Sequence, residues 1–136
     1  MSDPLLNLAL HRLEKAREDI DSSDALLKIS KFAQSINRSY YAMFHATRAI
    51  LALDRFDAKK HSAVISFLIF NYVKAGKISE GFSKMLTTAE KIRINSDYDD
   101  FYIADKETAE EQLSNARSFI EMAEAIIDEK RKRLNG

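Results

Sequence analysis

The sequence predicts an all-α protein, an up-and-down helical bundle of about five helices with two or three long antiparallel ones, in a single domain over residues 1–136. Three observations carry this. The 136 residues include only three glycines and one proline, so there is little punctuation for turns and the elements must be long. Apolar residues recur every three to four positions along most of the chain. Nothing alternates apolar and polar residues as a half-buried strand does.

Taken in order, the first helix is expected from about Pro4 to Lys28. Leu6, Leu10, Leu13, Ile20 and Leu27 recur at helical spacing, with Glu14, Lys15, Glu18 and Asp19 on other faces. Pro4 suits a first turn and Asp3 an N-cap; Asp21-Ser-Ser-Asp24 is the point at which a break is expected, if anywhere. A second helix runs from about Ser30 to Leu53, with Phe32, Ile36, Tyr40, Met43, Phe44, Thr47, Ile50 and Leu51 on its apolar side. Asp54 to Lys60 reads as a polar loop. Ser62 to Val73 is rich enough in β-branched and aromatic residues to suit a buried strand. A lone strand would have no partner, so a short, nearly buried third helix ending near Gly76 is expected. The fourth helix spans about Ser79 to Ile94, and Asn95 to Ala104 is an acidic, aromatic loop. The fifth opens at a capping box, Thr108-Ala-Glu-Glu111, and continues through Leu113, Ala116, Ile120, Ala123 and Ile127 into the early 130s. At ~1.5 Å per residue a 25-residue helix is about 38 Å long. Three such helices cover one another's apolar stripes, and the third and fourth close an end or a side.

Composition removes several function classes. With no cysteine there is no disulfide framework, thiol nucleophile or thiolate zinc site. The residues three before His11, His45 and His61 are Leu8, Ala42 and Ala58, so the Glu-Xaa-Xaa-His pairs of a di-iron bundle are missing. No metal and no cofactor are expected. The apolar run from Ala63 to Val73 is too short to span a bilayer, and the polar helix faces carry mixed charge, so no membrane role is expected. Met1-Ser-Asp-Pro4 has neither a basic nor an apolar leader segment, and a cytoplasmic protein is expected. The Asn37-Arg-Ser39 sequon carries no information in that setting.

The net charge is zero, with 21 basic and 21 acidic residues, yet the charge is unevenly spread. Between Ile29 and Ser79 stand Lys31, Arg38, Arg48, Arg55, Lys59, Lys60, Lys74 and Lys77 against only Asp54 and Asp57. Such asymmetry focuses field on one face and attracts a polyanion; the plainer reading is that the two halves pair across the bundle. Likewise Lys130-Arg-Lys-Arg133 reads first as a complement to a helix C-terminus.

The second helix concentrates the chemistry. Ser35, Arg38, Tyr41 or Ala42, His45 and Arg48 lie three to four residues apart and share a face. Arg38 and His45 are separated by two turns, about 10 Å, and no acid occurs between Ile29 and Leu53. A guanidinium grips the non-bridging oxygens of a phosphodiester, and an imidazole takes or gives a proton near neutrality. Cleavage without a metal needs both an acid and a base, and a two-fold dimer pairing this helix with its mate would bring two Arg and two His together. The plainer reading is a satisfied imidazole beside an arginine bound to a carboxylate of the Asp97, Asp99, Asp100 loop. An imidazole sealed in the core, with its arginine tied up by an aspartate, would leave only a helical scaffold.

The segment Asn37-Arg-Ser-Tyr-Tyr-Ala-Met-Phe-His-Ala-Thr-Arg48 resembles the signature helix of the HEPN domain (higher eukaryotes and prokaryotes nucleotide-binding), in particular the small stand-alone bacterial and archaeal members. Lys60-His61-Ser62, Val73-Lys-Ala-Gly76, Arg93 with Asp97-Tyr98, and the Ala-rich last helix extend the resemblance over nearly the whole chain. The resemblance implies an all-α bundle with two long antiparallel central helices, commonly dimeric. It implies a metal-independent endoribonuclease site lining a dimer cleft, with Arg38 and His45 matching the motif of Arg, four to six residues, then His. Ser39, Tyr41 and Arg48 are the supporting, substrate-binding candidates. Many such proteins are toxins encoded beside a minimal nucleotidyltransferase antitoxin; others are non-catalytic nucleotide-binding or adaptor partners of that enzyme. RNA or a nucleotide, a nucleotidyltransferase and a second copy of the chain are therefore the expected partners. Two positions depart from the pattern. Ser39 follows the motif Arg where relatives have Asn or Asp, and Thr47 stands where some toxins have an adenylylated Tyr, so that modification is not carried over.

Overall fold

The computed structural model describes residues 3–135 and contains five α-helices and no strand among them. They are α1 (Pro4–Lys28), α2 (Phe32–Ala52), α3 (His61–Leu68), α4 (Glu80–Tyr98) and α5 (Lys106–Asn135), with a π-helical turn, Ile69–Val73, continuing α3. Asp3 caps α1, its carboxylate accepting from the Leu5 N–H at 2.9 Å, and Pro4 opens the first turn. The Asp21-Ser-Ser-Asp24 run does not break the helix. Ser23 is fully buried and holds α1 to α2.

α1 and α2 form a helical hairpin joined by Ile29–Lys31, in which Ser30 adopts φ 63° to turn the chain sharply. α2 lies at the centre, packed against α1 on one side and α5 on another, with α4 and α3 completing the cover. Ala9, Ala16, Ala42, Ala46 and Ala49 are fully buried, small residues that let helix axes approach closely. Tyr40, Met43, Ile50, Leu68, Leu86 and Phe119 fill the core.

Two boundaries and the interior of the third helix differ from expectation, while that helix ends near Gly76 as expected. The region rich in β-branched residues is helical, but it widens after Leu68 so that the Lys74 N–H reaches back to the Ile69 carbonyl, before Gly76 ends it at φ 76°. α4 continues through Asn95–Tyr98, where an Arg93–Asp97 ion pair at 3.3 Å spans one turn and nothing interrupts the backbone. α5 starts at Lys106, because Asp105 supplies the cap; its carboxylate accepts from the Thr108 N–H at 2.8 Å and its carbonyl from Ala109. The basic run near the end is paired, Lys130 with Asp54 at 2.7 Å, Lys132 with Asp128 and Arg133 with Glu129. Among the described residues no helix is long and apolar enough to cross a membrane.

Candidate active site

Register between α1 and α2 is set by a buried polar seam. Ser23 Oγ lies 2.7 Å from Ser39 Oγ and 2.9 Å from both the hydroxyl and the carbonyl oxygen of Ser35, while Ser35 Oγ donates to the Ser23 carbonyl at 3.0 Å. All three serines are fully buried, so sliding one helix along the other would strand several polar groups away from water. One turn before Ser23 comes Asp19, and the seam places its carboxylate between Arg38 and His45. Asp19 Oδ1 accepts from Arg38 Nη1 at 3.0 Å, and Oδ2 lies 2.7 Å from His45 Nδ1.

This bridge fixes the imidazole. A carboxylate only accepts, so Nδ1 carries the proton and Nε2 is the atom left for chemistry. His45 is not sealed in: its side chain keeps 21% of its surface and that of Arg38 keeps 36%. Arg38 also donates to Asn37 Oδ1 at 2.9 Å through Nη2, which leaves further guanidinium N–H groups for a ligand. It faces a cavity of about 420 Å³ that is also lined by Gln34, Asn37 and Asp97.

The half-buried ring of Tyr41 is the hub. The Arg38 guanidinium stands 4.9 Å from its centroid and that of Arg93, from α4, at 5.9 Å. The His45 and His61 rings lie 5.9 and 5.8 Å away. Two cations and two imidazoles thus surround one aromatic ring.

His61, the first residue of α3, stacks on Phe44 at 4.0 Å, and its Nδ1 lies 2.8 Å from the Tyr40 hydroxyl. Burial, then the positive charge of Arg93, lowers its pKa from the ordinary 6.5. Burial pushes the Tyr40 phenol upward, so its hydroxyl keeps the proton. Beside His61 a second cavity, of about 450 Å³, is lined by Phe44, Arg48, Asp57 and Lys59.

A family model described as the HEPN domain matches residues 9–126. The chain belongs to the HEPN domain family. A Methanocaldococcus jannaschii protein named "Putative toxin" is 31% identical over 90% of this chain and 85% of its own length. A second protein of that name from the same organism is 27% identical over 79% and 74%. A Thermotoga maritima relative named only as a UPF0332 protein is 28% identical over 85% of this chain and 87% of its own.

Of the sequence-predicted residues, the HEPN helix brings Arg38, Tyr41 and His45 together and leaves two elsewhere. Ser39 faces the α1 seam and is fully buried, so it braces the helix and offers nothing to a substrate. Arg48 belongs to another ion cluster, gripping Asp57 through two bonds of 3.2 and 2.7 Å beside Arg12. Those bonds hold the Asp57 carboxyl below the usual carboxylate range. The carboxylate that meets Arg38 is Asp19, not one of the Asp97–Asp100 loop; Asp97 pairs with Arg93, and Tyr98 is 80% exposed. Motif reasoning missed Asp19, His61 and Arg93 as parts of the site. Asp19 did leave a signal: it lies three residues after Ala16 and four before Ser23, on the buried stripe of α1.

Proposed function

We propose that this HEPN protein is a toxin-type, metal-independent endoribonuclease whose reacting groups are Arg38 and His45. The observation that carries the reading is the Asp19 bridge, which holds both side chains on one carboxylate while each keeps part of its surface exposed. Arg38 supplies a forked donor for the charge that grows on the non-bridging phosphate oxygens. His45 transfers a proton at Nε2, and Tyr41 offers a face on which a base or ribose rests. The names of the Methanocaldococcus relatives support the toxin half of the reading. A homodimer pairing two copies of α2 frames the cleft, and a minimal nucleotidyltransferase is the expected antitoxin.

Purified protein should cut RNA in the presence of a strong chelator, and its expression should arrest growth. Arg38→Ala and His45→Ala should each lower cleavage by about 100-fold or more while the fold persists. Asp19→Asn should lower it nearly as far, since the imidazole loses its orientation. If both alanine variants cleave like the parent, the assignment is wrong. RNA bound by the parent but never cut would favour the non-catalytic adaptor, with Arg38→Ala then weakening binding alone.

A further inference from the structure

The Tyr40 hydroxyl settles the tautomer of the second imidazole. Tyr40 is buried, and the acceptor its hydroxyl has among the described residues is His61 Nδ1 at 2.8 Å. The neutral His61 ring therefore carries its own proton on Nε2, which acts as a donor. That ring lines the cavity of about 450 Å³ together with Arg48 and Lys59. Arg48 engages Asp57 through Nε and Nη2, which leaves Nη1, and Lys59 is exposed. Among the described residues Arg48 Nη1, Lys59 Nζ and His61 Nε2 make no bond to the protein, and none of them is a sealed-in atom. The carboxylate that lines this cavity, Asp57, is already shared by Arg12 and Arg48. Lys59 and Lys60 stand directly before α3 and His61 opens it, with no acid in the first turn and no side-chain cap. The positive end of a helix favours an anion and disfavours cations, and natural chains break a local rule of this kind mainly at functional sites.

We propose that Arg48, Lys59 and His61 form a phosphate-binding subsite that holds the RNA backbone away from the scissile bond. This rests on RNA being the ligand, as in the nuclease reading above, and adds a second anchoring point to it. No residue lines both this cavity and the one beside Arg38, so the two take different phosphates. Arg38 and Arg48 are ten residues apart, about 15 Å along α2. Tyr41 links the two places, with Arg38 4.9 Å and His61 5.8 Å from its ring centroid. The phosphate of a mononucleotide occupies one such place at a time; a strand, with a phosphate on every nucleotide, fills both at once. His61 moves no proton here: it donates a hydrogen bond, while Arg48 and Lys59 supply charge. Contacts of this kind carry no base information, so they raise affinity and set the path of the strand without choosing its sequence.

The test measures binding of a short single-stranded RNA, methylated on every 2′-hydroxyl so that it cannot be cut, over a range of salt. Lys59→Gln and His61→Leu should each weaken binding by about 3- to 10-fold, and the charge lost with Lys59→Gln should lower the slope of log affinity against log salt by about 0.7. Lys59 is exposed, so its variant keeps the test open should His61→Leu melt early. His61→Gln, whose amide N–H donates from much the same place as Nε2, should restore most of the binding that His61→Leu loses. On the unmethylated RNA the losses should appear in KM rather than kcat. Parental affinity and salt slope in folded Lys59→Gln and His61→Leu overturn the proposal. So does binding of AMP or inorganic phosphate as tight as that of the RNA, with the same shifts of the His61 ring resonances, which would make this a site for a small phosphate ligand. If the parent binds the methylated RNA through these residues but cuts no RNA, the subsite stands and the nuclease reading alone has failed; a parent that binds no RNA overturns both.

Discussion

α1 and α5 both lie against α2, yet they bury different chemistry. The inner face of α5 is Ala109, Leu113, Ala116, Phe119, Ile120, Ala123 and Ile127, with Gln112 as its buried polar residue. The inner face of α1 mixes Ala9, Leu13, Ala16 and Ile20 with Asp19 and Ser23. Apolar burial is non-directional, so a stripe of alanine and leucine tolerates small slides. A hydroxyl or carboxylate with a fixed partner tolerates none. Stability is spread over both contacts, but register is set on the α1 side alone, and that is where Arg38 and His45 find their carboxylate.

The largest break in this comparison comes on the apolar side. Phe119 is fully buried and meets Phe82 edge-to-face at 6.2 Å. Phe119→Ala should cost about 3–5 kcal/mol by removing buried ring surface and leaving a cavity, read as a fall in the denaturant midpoint. The fraction that stays folded should keep the parental turnover, because the bridge that orients Arg38 and His45 comes from Asp19 on α1. A specific loss of turnover beyond the folded fraction would mean that the α5 contact also governs register.

The polar side should break in the opposite pattern. Ser23→Ala removes the hydroxyl shared by Ser35 and Ser39 and should cost about 1–3 kcal/mol, the range for stranding buried polar groups. Its effect on cleavage should exceed its effect on folding, since Asp19 sits one turn away on the same helix and loses its fixed height. Equal losses in both readouts would make the seam merely structural.

The same contrast explains what was legible beforehand. Helices α1, α2 and α5 were readable because 25, 21 and 30 residues of apolar periodicity leave no other solution. The ends of α4 and α5 were not. Asn95-Ser-Asp-Tyr98 has the composition of a loop, and only the Arg93–Asp97 pair carries it onward; Asp105 displaced a capping box that the motif at Thr108 favoured. Arg38 and His45 were legible as a spacing on one helix. Asp19, His61 and Arg93 reach the site from three other elements, and no spacing within a helix reports on contacts between helices. Ser39 shows the converse error. Its position beside Arg38 in sequence turns it about 100° around the helix, out of the cleft and into the seam.

The smallest expected effect concerns acid, and it separates His61 from the carboxylates. The folded state depresses the His61 pKa below 6.5 through burial and the nearby Arg93 charge. As pH falls below that value the unfolded chain takes up a proton more readily than the folded one. Stability therefore declines on acidification and levels off once the folded imidazole is also charged. Asp57 is depressed from 3.8 by its bonds to Arg48, so its contribution is lost in a lower window, below that value. Urea denaturation between pH 7 and pH 4 should show a decline in the parent that is shallower in His61→Gln, while below pH 4 the two curves should fall in parallel. Curves that run parallel across the whole range would show that His61 titrates alike in both states, and that the Tyr40 and Phe44 niche does not hold it neutral.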